Sequence, residues 1–341
     1  MTGMRIEEHF PLENYNTFRL PVKTRWFIEY DNEEELLRIL HDEYFMECAY
    51  MHIGGGSNLL FLNDYNGIIL HSAIKGVGMV EETGAAVTLR IGAAEIWDEI
   101  VVLALSRGWY GIENLSGIPG ECGAAAIQNI GAYGVEIKDV VEAVEAYDRN
   151  SCEKHIFSNK DCLYSYRHSR FKDESTGPYI VTHIRIRLSK TPSPALGYGN
   201  LEERVSACGI EITPSVVRET ILTMRREKLP DPAQYGNAGS FFMNPVITMR
   251  HFEALKAAYP GIPSFPAGDN GVKVPAGWLI EQCGFKGKSQ GEAGVYHKQA
   301  LALINLGNAS GQDIALLAED IRSAVAGRFH ITLMPEVKYI G

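Results

Sequence analysis

Residues 114–134 read NLSGIPGECGAAAIQNIGAYG, a stretch in which most side chains are small. A backbone with little side-chain bulk lets another group lie flat against it. A buried crossing of close-packed strands would explain the glycines and alanines, but it does not need Gln128, Asn129 or Tyr133. We therefore predict that this stretch forms part of a cofactor site.

A second glycine-rich segment, HIGGGSNLLF, occupies residues 52–61. Three successive glycines can present backbone N–H groups to a pyrophosphate. The spacing differs from the G-x-G-x-x-G pattern of dinucleotide-binding folds, so a tight structural turn is an equal alternative.

The GKS at residues 287–289 does not form a P-loop, because the first glycine of that motif would fall on Gln282.

The composition is that of a globular protein of about two domains, given 341 residues of which 45% are hydrophobic and 22% charged. A net charge of −10 argues against a broad basic surface, so we expect no nucleic-acid or membrane partner. The N-terminal MTGMRIEEHF lacks the apolar run of a signal peptide, and no later stretch is long and apolar enough to cross a membrane. We expect a cytoplasmic protein that binds small molecules.

Six cysteines lie at positions 48, 122, 152, 162, 208 and 283. They include no C-x-x-C pair and no spacing typical of zinc ligands. We expect reduced, mostly structural thiols and no bound metal.

The first two hundred residues alternate between strand and helix patterns. Asn32 and Glu35 have capping-box spacing and begin a predicted helix over residues 32–45, and Gly108 ends a second helix that begins near residue 94. Asn66-Gly67 is predicted to be a hairpin turn. Strands are predicted at residues 48–53, 59–62, 68–71, 87–91, 141–147 and 179–188.

The remainder of the chain is richer in helical patterns. Thr213 and Pro214 are typical of a helix start, as the cap and the first helical residue. This change of pattern predicts a domain boundary near residue 205 and an α+β protein. Helices are predicted at residues 213–228, 251–259, 276–284 and 311–327, followed by a last strand at 335–341.

Seven motifs, in this order along the chain, resemble the UDP-N-acetylenolpyruvoylglucosamine reductase family. They are NTFRL (16–20), GGGSN (54–58), IPG with IQNIGAYG (118–134), YSYRHSRFK (164–172), GNAGSFFMNP (236–245), PAGWLIEQCG (275–284) and PEVKYIG (335–341). Each motif alone is modest, but together they cover nearly the whole chain. The resemblance implies an FAD enzyme of bacterial cell-wall synthesis that uses NADPH to reduce the enolpyruvyl ether of UDP-N-acetylglucosamine enolpyruvate to UDP-N-acetylmuramate.

The resemblance also implies a fold and a division into domains. Residues 1–205 would form a two-lobed FAD-binding domain of the vanillyl-alcohol-oxidase type, with lobes at about 1–75 and 76–205. Residues 206–341 would form a smaller α+β substrate-binding domain, whose C-terminal strand 335–341 returns to the active site. We expect a monomer.

By resemblance, the two glycine-rich segments hold the pyrophosphate and the ring of FAD. Members of the wider superfamily that bind flavin covalently often use a histidine in the first segment, where this chain has Asn58. We therefore expect non-covalent FAD. The residues assigned to the cofactor are Gly54, Gly55, Gly56, Ser57, Asn58, Ser116, Gly117, Ile118, Pro119, Gly120, Gly123, Ala124, Gln128, Asn129, Gly131, Ala132 and Tyr133.

Reduction of a double bond conjugated to a carboxylate needs a hydride, which flavin and NADPH supply, together with charge stabilisation and a proton. Arg167 suits the carboxylate because its guanidinium is planar and permanently charged, with a surface ion pair as the alternative. Ser240 corresponds to the family's proton donor, with capping of a turn as the alternative. Glu336 corresponds to a second polar group beside the enolpyruvate, where burial would keep its carboxyl protonated; its position alone indicates an exposed strand residue.

Further substrate contacts implied by the resemblance are Tyr166, Tyr198, Lys228, Asn244 and Gln299. Lys228 adds local positive charge for a diphosphate. The chain departs from the family at Met243, where lysine is common. It also has Glu121, Cys122 and Ala126 in place of the usual Thr, Val and Pro.

Two other functions fit parts of the same pattern. A flavin-dependent oxidase of a small alcohol or sugar would share the fold without needing Ser240, Arg167 and Glu336 together. A non-catalytic nucleotide-sugar-binding protein would keep the fold and bind the UDP-sugar without NADPH turnover.

Overall fold

The computed structural model of the protein describes residues 3–268 and 271–341 and has an α+β architecture. The strands are β1 (Arg5–Pro11), β2 (Lys23–Tyr30), β3 (Tyr50–Ile53), β4 (Leu59–Phe61), β5 (Tyr65–Ser72), β6 (Val77–Glu82), β7 (Ala86–Gly92), β8 (Gly131–Ala132), β9 (Val135–Glu136), β10 (Val141–Asp148), β11 (Lys154–Ser158), β12 (Tyr179–Ser189), β13 (Gly236–Asn237), β14 (Val246–Thr248), β15 (Phe265–Ala267), β16 (Gly271–Lys273), β17 (Ser289–Gln290), β18 (Ala293–Val295), β19 (Leu303–Asn305) and β20 (Lys338–Ile340). The helices are α1 (Glu33–Leu40), α2 (Glu43–Glu47), α3 (Trp97–Ser106), α4 (Cys122–Gln128), α5 (Leu201–Ser206), α6 (Pro214–Lys228), α7 (Met249–Ala258), α8 (Ala276–Gln282) and α9 (Gly311–Phe329).

The chain forms two compact units. Unit 1 contains the described residues up to Phe10 together with residues 24–55 and 66–225. Unit 2 contains residues 11–23 and 56–65 together with the described residues from 226 onward. None of the helices in the described part of the chain is long and apolar enough to cross a lipid bilayer.

Unit 1 is built on two sheets, in the orders β1-β2-β5-β3 and β11-β10-β12-β7-β6. The second sheet is antiparallel along its length. Alternating residues of its central strands, such as Val144 and Ile184, pack with Trp97 and Ile100 of α3 in a buried core. The period-two patterns at 141–147 and 179–188 therefore correctly predicted β10 and β12.

Two local predictions in unit 1 were wrong. Asn66 and Gly67 form no hairpin turn but lie inside β5, which pairs in parallel with β3. Parallel strands cannot be joined by a two-residue turn, and the intervening β4 pairs instead with β20. The single helix predicted over residues 32–45 is divided into α1 and α2, because Asp42 accepts a hydrogen bond from the Phe45 N–H and caps a new helix.

Helix α6 as far as Arg225 belongs to unit 1. Its buried residues Val217, Ile221 and Met224 pack against Leu201 and Val205 of α5. Residues 206–225 therefore pack with unit 1, whereas the sequence pattern assigns them to a second domain. Their assignment to a substrate-binding domain stays a prediction.

An ion pair fixes α6 to the glycine-rich segment at Gly117. The Asp98 carboxylate accepts hydrogen bonds from Arg218 Nη1 and Nη2, at 2.6 and 2.8 Å, and from the Gly117 N–H at 2.6 Å. Burial alone would raise the pKa of Asp98, but the Arg218 and Gly117 bonds outweigh it and lower that pKa. The pair therefore stabilises the fold above the ordinary pKa of an aspartate and loses its contribution as pH falls through the lowered pKa.

We predict that Asp98→Asn lowers the free energy of unfolding by roughly 1–2 kcal/mol at pH 7, because it weakens a partly buried charged network. The difference from the wild type should shrink as pH falls below about 4, where the wild-type carboxylate is protonated in the unfolded state. Urea unfolding at pH 7 and at pH 3 measures both effects. Glu99→Gln, at an exposed position on the same helix, is the matched control. Equal stability of Asp98→Asn and wild type at pH 7 would contradict the prediction.

Unit 2 contains sheets in the orders β13-β19-β18-β17 and β14-β16-β15, and the parallel pair β20-β4. Helix α9 begins at a capping box in which Ser310 and Asp313 bond each other's backbone N–H groups. Its buried residues include Ile314, Leu317 and Ile321. The predicted helices at 251–259, 276–284 and 311–327 and the predicted last strand are confirmed by α7, α8, α9 and β20.

Candidate active site

The longer glycine-rich segment runs from a loop into α4. The helix ends at a residue whose backbone has a left-handed conformation. Asn129 has φ of 45° and is fully buried. Its side-chain amide donates to the carbonyl oxygen of Ser165 at 2.8 Å. Ser116 is also buried, and its hydroxyl donates to the Glu113 carbonyl at 2.6 Å. The side chains of Ser116 and Asn129 therefore hold the segment together.

The other residues predicted to contact the cofactor from this segment are mostly nearer the surface. Pro119 is exposed and Gly123 is buried. The half-buried residues are Gly117, Ile118, Gly120, Ala124, Gln128, Gly131, Ala132 and Tyr133. Backbone of this kind, with little side-chain cover, remains accessible to a bound group.

The shorter glycine-rich segment begins in unit 1, where it lies against the longer one. A Cβ atom built on Gly54 would lie 2.8 Å from Glu121 Oε2 and 3.4 Å from Ala124 Cβ. A Cβ on Gly55 would lie 4.0 Å from the Gly120 Cα. The two segments approach so closely that a larger residue at position 54 would displace one of them.

The same segment continues in unit 2 from Gly56 to Asn58. Gly56 has φ of 65°, and a Cβ there would lie 1.9 Å from the Tyr15 carbonyl oxygen, so only glycine fits. Ser57 and Asn58 are half-buried. The residues of both segments fit an FAD group, because glycines with accessible backbone are what a flavin nucleotide needs at its pyrophosphate.

Asn58 is connected to Glu336 within unit 2. The Asn58 amide donates to the Glu336 carbonyl oxygen at 3.0 Å, and the Lys338 N–H donates to the Asn58 carbonyl at 3.0 Å. These bonds continue the parallel pairing of β4 with β20. Glu336 is half-buried, rather than exposed as its position alone predicted.

Ser240 follows a glycine in the left-handed region. Gly239 has φ of 68°, and its N–H donates to Asn237 Oδ1 at 3.0 Å. Ser240 is exposed, and within residues 3–268 and 271–341 its hydroxyl makes no hydrogen bond. The turn is capped by Asn237, so the structure gives Ser240 no capping role.

The residues after Ser240 pair with the segment that contains Glu336. The Glu336 N–H donates to the Phe241 carbonyl at 2.8 Å, and the Met243 N–H donates to the Met334 carbonyl at 2.9 Å. Phe241 and Phe242 are each 1% exposed and anchor the segment in the core of unit 2. Unit 2 thus brings Ser240, Glu336 and Asn58 together on neighbouring segments.

Arg167 lies in unit 1, where two backbone carbonyls hold its guanidinium. Arg167 Nη2 donates to the Gly131 carbonyl at 2.6 Å and Nη1 donates to the Asn129 carbonyl at 3.3 Å. Its guanidinium lies over the ring of Tyr166 at 5.3 Å, and its own φ is 55°. Arg167 is therefore fixed against the longer glycine-rich segment.

The predicted substrate residues occupy both units. In unit 1 the half-exposed Tyr198 ring makes an edge contact with Tyr133 at 6.3 Å. In unit 2 Lys228 is exposed. Asn244 Oδ1 accepts a hydrogen bond from the Ala276 N–H at 2.9 Å, at the start of α8. A Cβ on the next residue of α8, Gly277, would lie 3.2 Å from Gln299 Oε1, so Asn244 and Gln299 both lie at the beginning of α8.

The sequence analysis missed two charged groups beside the glycine-rich segments. Glu121 contacts Gly54 and forms an ion pair with His71. A Cβ on Gly117 would lie 3.3 Å from Arg225 Nε, and burial lowers the pKa of Arg225. The departure from the family pattern at Glu121 is a signal that could have identified this residue. No pattern in the sequence predicts its contact with His71.

A separate cluster in unit 1 has the composition of a metal site. Ligand atoms of Glu33, Glu145 and His183 lie within 4.8 Å of one another. Glu145, however, accepts hydrogen bonds from Arg90 and Arg185 at 2.7–2.9 Å. These bonds, with a lysine 3.0 Å from Glu145, lower the pKa of the Glu145 carboxyl although burial opposes them. Protein cations already neutralise the cluster, so it supports no metal assignment.

Comparison with known families agrees with this arrangement. Residues 25–152 match the FAD binding domain family. Residues 231–340 match the C-terminal domain of UDP-N-acetylenolpyruvoylglucosamine reductase. The chain therefore has an FAD-binding domain, as predicted, and the segment with Ser240 and Glu336 lies in the second matched region.

Proteins named UDP-N-acetylenolpyruvoylglucosamine reductase are similar over their full length. The one from Porphyromonas gingivalis is 46% identical over 337 residues, which are 99% of this chain and all of that protein. The one from Chromobacterium violaceum is 43% identical over 95% of this chain and 96% of its own length.

Solved structures confirm the predicted fold. The reductase of the same name from Thermus caldophilus has a TM-score of 0.69 and 23% identity, and the match covers 99% of this chain and 100% of that one. 6-Hydroxy-D-nicotine oxidase from Arthrobacter nicotinovorans has a TM-score of 0.55 and 13% identity over 97% of this chain and 87% of that one. The fold is thus the flavin-binding, vanillyl-alcohol-oxidase type followed by a second α+β region. With the full-length relatives, these matches show that the chain belongs to the UDP-N-acetylenolpyruvoylglucosamine reductase family.

Proposed function

We propose that this protein catalyses the NADPH-dependent, FAD-mediated reduction of the enolpyruvyl ether of UDP-N-acetylglucosamine enolpyruvate to UDP-N-acetylmuramate, in bacterial cell-wall synthesis. The family membership supports the overall reaction. The observation that most supports the chemistry is the pairing of the Ser240 segment with the Glu336 segment in unit 2. That pairing places a hydroxyl and a carboxyl on two neighbouring segments.

FAD bound along the two glycine-rich segments supplies hydride chemistry, with NADPH as the electron source. Gly54, Gly55, Gly117 and Gly120 would offer backbone to its pyrophosphate and ring. Asn58 forms no covalent link to a flavin, since an amide lacks the nucleophilic nitrogen of histidine. The protein therefore holds FAD by non-covalent contacts alone.

Arg167 binds the substrate carboxylate in this proposal. A hydride delivered to the terminal carbon of the enolpyruvyl double bond would leave negative charge on the other carbon and on the attached carboxylate. A planar guanidinium stabilises that charge through two parallel hydrogen bonds. The carbonyls of Gly131 and Asn129 fix the guanidinium plane before substrate arrives, which reduces the entropy lost on binding.

Ser240 donates the proton to the carbon next to the carboxylate. Its hydroxyl is exposed and has no hydrogen bond within the described residues, so it can turn toward a substrate. A left-handed glycine before it leaves room for the substrate on that side. Glu336, in its protonated form, would donate a hydrogen bond toward the developing negative charge. Together these groups provide the proton and the charge stabilisation that the reaction needs.

Five residues are proposed to contact the nucleotide part of the substrate. Tyr166 and Tyr198 offer aromatic surface and hydroxyls, and Lys228 offers a positive charge for the diphosphate. Asn244 and Gln299 both lie at the start of α8 and would bind the diphosphate or the sugar through their amides. We also propose that the protein acts as a monomer in the cytoplasm.

A flavin oxidase is the second candidate, because the fold is shared with an oxidase. The two functions differ in what restores the yellow absorbance after NADPH has bleached it. We expect the enolpyruvyl substrate to restore it far faster than dissolved oxygen does. Rapid-mixing absorbance traces with each oxidant distinguish the reductase from the oxidase, and faster recovery with oxygen would overturn the proposal.

We predict that the purified protein is yellow and that denaturation releases its flavin into the supernatant, since Asn58 allows no covalent bond. FAD should also raise the unfolding temperature, because it binds only the folded state. Absorbance of the supernatant after acid precipitation measures release, and thermal unfolding with added FAD measures stabilisation. A colourless protein that binds no added FAD, or a flavin that remains in the precipitate, would contradict this prediction.

A further inference from the structure

Three charged side chains form a chain beside the shorter glycine-rich segment, all within unit 1. His71 Nδ1 lies 2.9 Å from Glu29 Oε2, and His71 Nε2 lies 3.4 Å from Glu121 Oε1. The Glu121 side chain is only 10% exposed and that of His71 11%. No role in the proposed reaction uses these groups.

The two oxygens of the Glu121 carboxylate have different surroundings. Oε1 faces His71, whereas Oε2 lies 2.8 Å from the position of a Cβ on Gly54. Within residues 3–268 and 271–341, Oε2 accepts no hydrogen bond. Among the described residues, Oε2 is therefore a hydrogen-bond acceptor without a donor, on a mostly buried side chain beside backbone that is assigned to the cofactor.

The charge of Glu121 is compensated from within the protein. Burial alone would lower the pKa of His71, but the hydrogen bonds and charges of Glu121 and Glu29 outweigh burial and raise it. A neighbouring histidine, His52, is buried and has its pKa lowered to about 3 by burial and by the charge of His71, so it stays neutral. His71 thus lies between two carboxylates that favour its protonated form.

The chemistry of Oε2 selects its ligand. An ionised carboxylate repels a phosphate but accepts a hydrogen bond from a hydroxyl, and FAD carries hydroxyls on its ribityl chain and on its ribose. We propose that Glu121 is an FAD-binding residue whose Oε2 accepts a hydrogen bond from one FAD hydroxyl, with His71 and Glu29 positioning the carboxylate. This inference rests on the proposed function for the location of FAD at the glycine-rich segments.

The first test is FAD affinity, measured by fluorescence quenching on full-length protein from which the flavin has been removed. Loss of a hydrogen bond to a charged group typically weakens binding by about 10- to 100-fold, and we expect Glu121→Ala to raise the FAD dissociation constant by that factor. Glu99→Gln, an exposed glutamate on α3, is the control and should bind FAD like the wild type. Wild-type affinity in Glu121→Ala would overturn the proposal.

The second test uses the wild-type protein, so it does not depend on the folding of a variant. FAD analogues that lack one ribityl hydroxyl and analogues that lack one ribose hydroxyl are titrated separately. One analogue should bind about 10- to 100-fold more weakly than FAD, which identifies the hydroxyl, and Glu121→Ala should bind that analogue and FAD equally. If the wild type binds every analogue as tightly as FAD, or if the analogue loss persists in Glu121→Ala, the inference is wrong.

These binding measurements are separate from the test of the proposed reaction. A wild-type protein that binds FAD but does not oxidise NADPH with the enolpyruvyl substrate would contradict the proposed function and not the hydroxyl contact. A wild type that turns over normally and whose Glu121→Ala variant binds FAD unchanged would contradict only the hydroxyl contact.

Discussion

Ser240→Ala should slow turnover by about 10²–10⁴-fold, or roughly 3–5 kcal/mol of transition-state free energy, because general-acid catalysis is typically worth that much. The loss should be confined to one half of the catalytic cycle. NADPH has no chemical contact with this hydroxyl, so bleaching of the yellow absorbance by NADPH should stay close to the wild-type rate. Recovery of the absorbance on addition of the enolpyruvyl substrate should become slow. Rapid-mixing traces measure the two rates separately.

The stability of Ser240→Ala is the control for this experiment. A helix- or turn-capping serine would cost about 0.5–2 kcal/mol of folding free energy when removed. The Ser240 hydroxyl makes no hydrogen bond within the described part of the chain, and the turn is held by Asn237. We therefore expect unchanged thermal unfolding. Normal recovery of the absorbance with substrate would show that Ser240 is not the acid.

Arg167→Lys should lower kcat/KM by at least an order of magnitude, although the charge is kept. A lysine ammonium cannot form the planar pair with a carboxylate, and loss of a hydrogen bond to a charged group costs about 1.5–3 kcal/mol. It also cannot bond the carbonyls of Asn129 and Gly131 with the same geometry. Steady-state kinetics with the enolpyruvyl substrate measure the loss.

The matched control for Arg167→Lys is Arg107→Lys, the same substitution at an exposed arginine at the end of α3 that has no assigned role. It should leave kcat/KM within about twofold of the wild type, since exposed charges contribute little. The NADPH-dependent bleaching rate of Arg167→Lys should also stay near normal. Wild-type kcat/KM in Arg167→Lys would refute the assignment of this residue to the carboxylate.

Local patterns in the sequence predicted most helices and strands because they depend on neighbouring residues. The alternation at 141–147 and the cap at Thr213 are examples, and the Thr213 hydroxyl accepts from the Val216 N–H at 3.3 Å. The prediction of a turn at Asn66-Gly67 failed because the conformation there depends on residues that are distant in the sequence. Those residues adopt an extended conformation because β5 pairs with β3, a contact that local sequence does not specify.

The same distinction applies to the candidate site. The family motifs identified Ser240 and Glu336, but their pairing in unit 2 joins residues almost a hundred positions apart. The contact of Glu121 with His71 spans fifty positions, and neither residue has a pattern that points to the other. Long-range contacts of this kind are set by the packing of whole elements, so one sequence without its fold could not predict them.

The central claim is that this protein reduces an enolpyruvyl ether with electrons from NADPH. The most direct test is to mix purified protein with NADPH and UDP-N-acetylglucosamine enolpyruvate and to follow NADPH absorbance together with the mass of the UDP-sugar. We predict that NADPH is consumed only when the substrate is present, and that each NADPH consumed yields one UDP-sugar with two additional hydrogen atoms. NADPH consumption that is independent of the substrate, or a substrate whose mass does not change, would contradict the account.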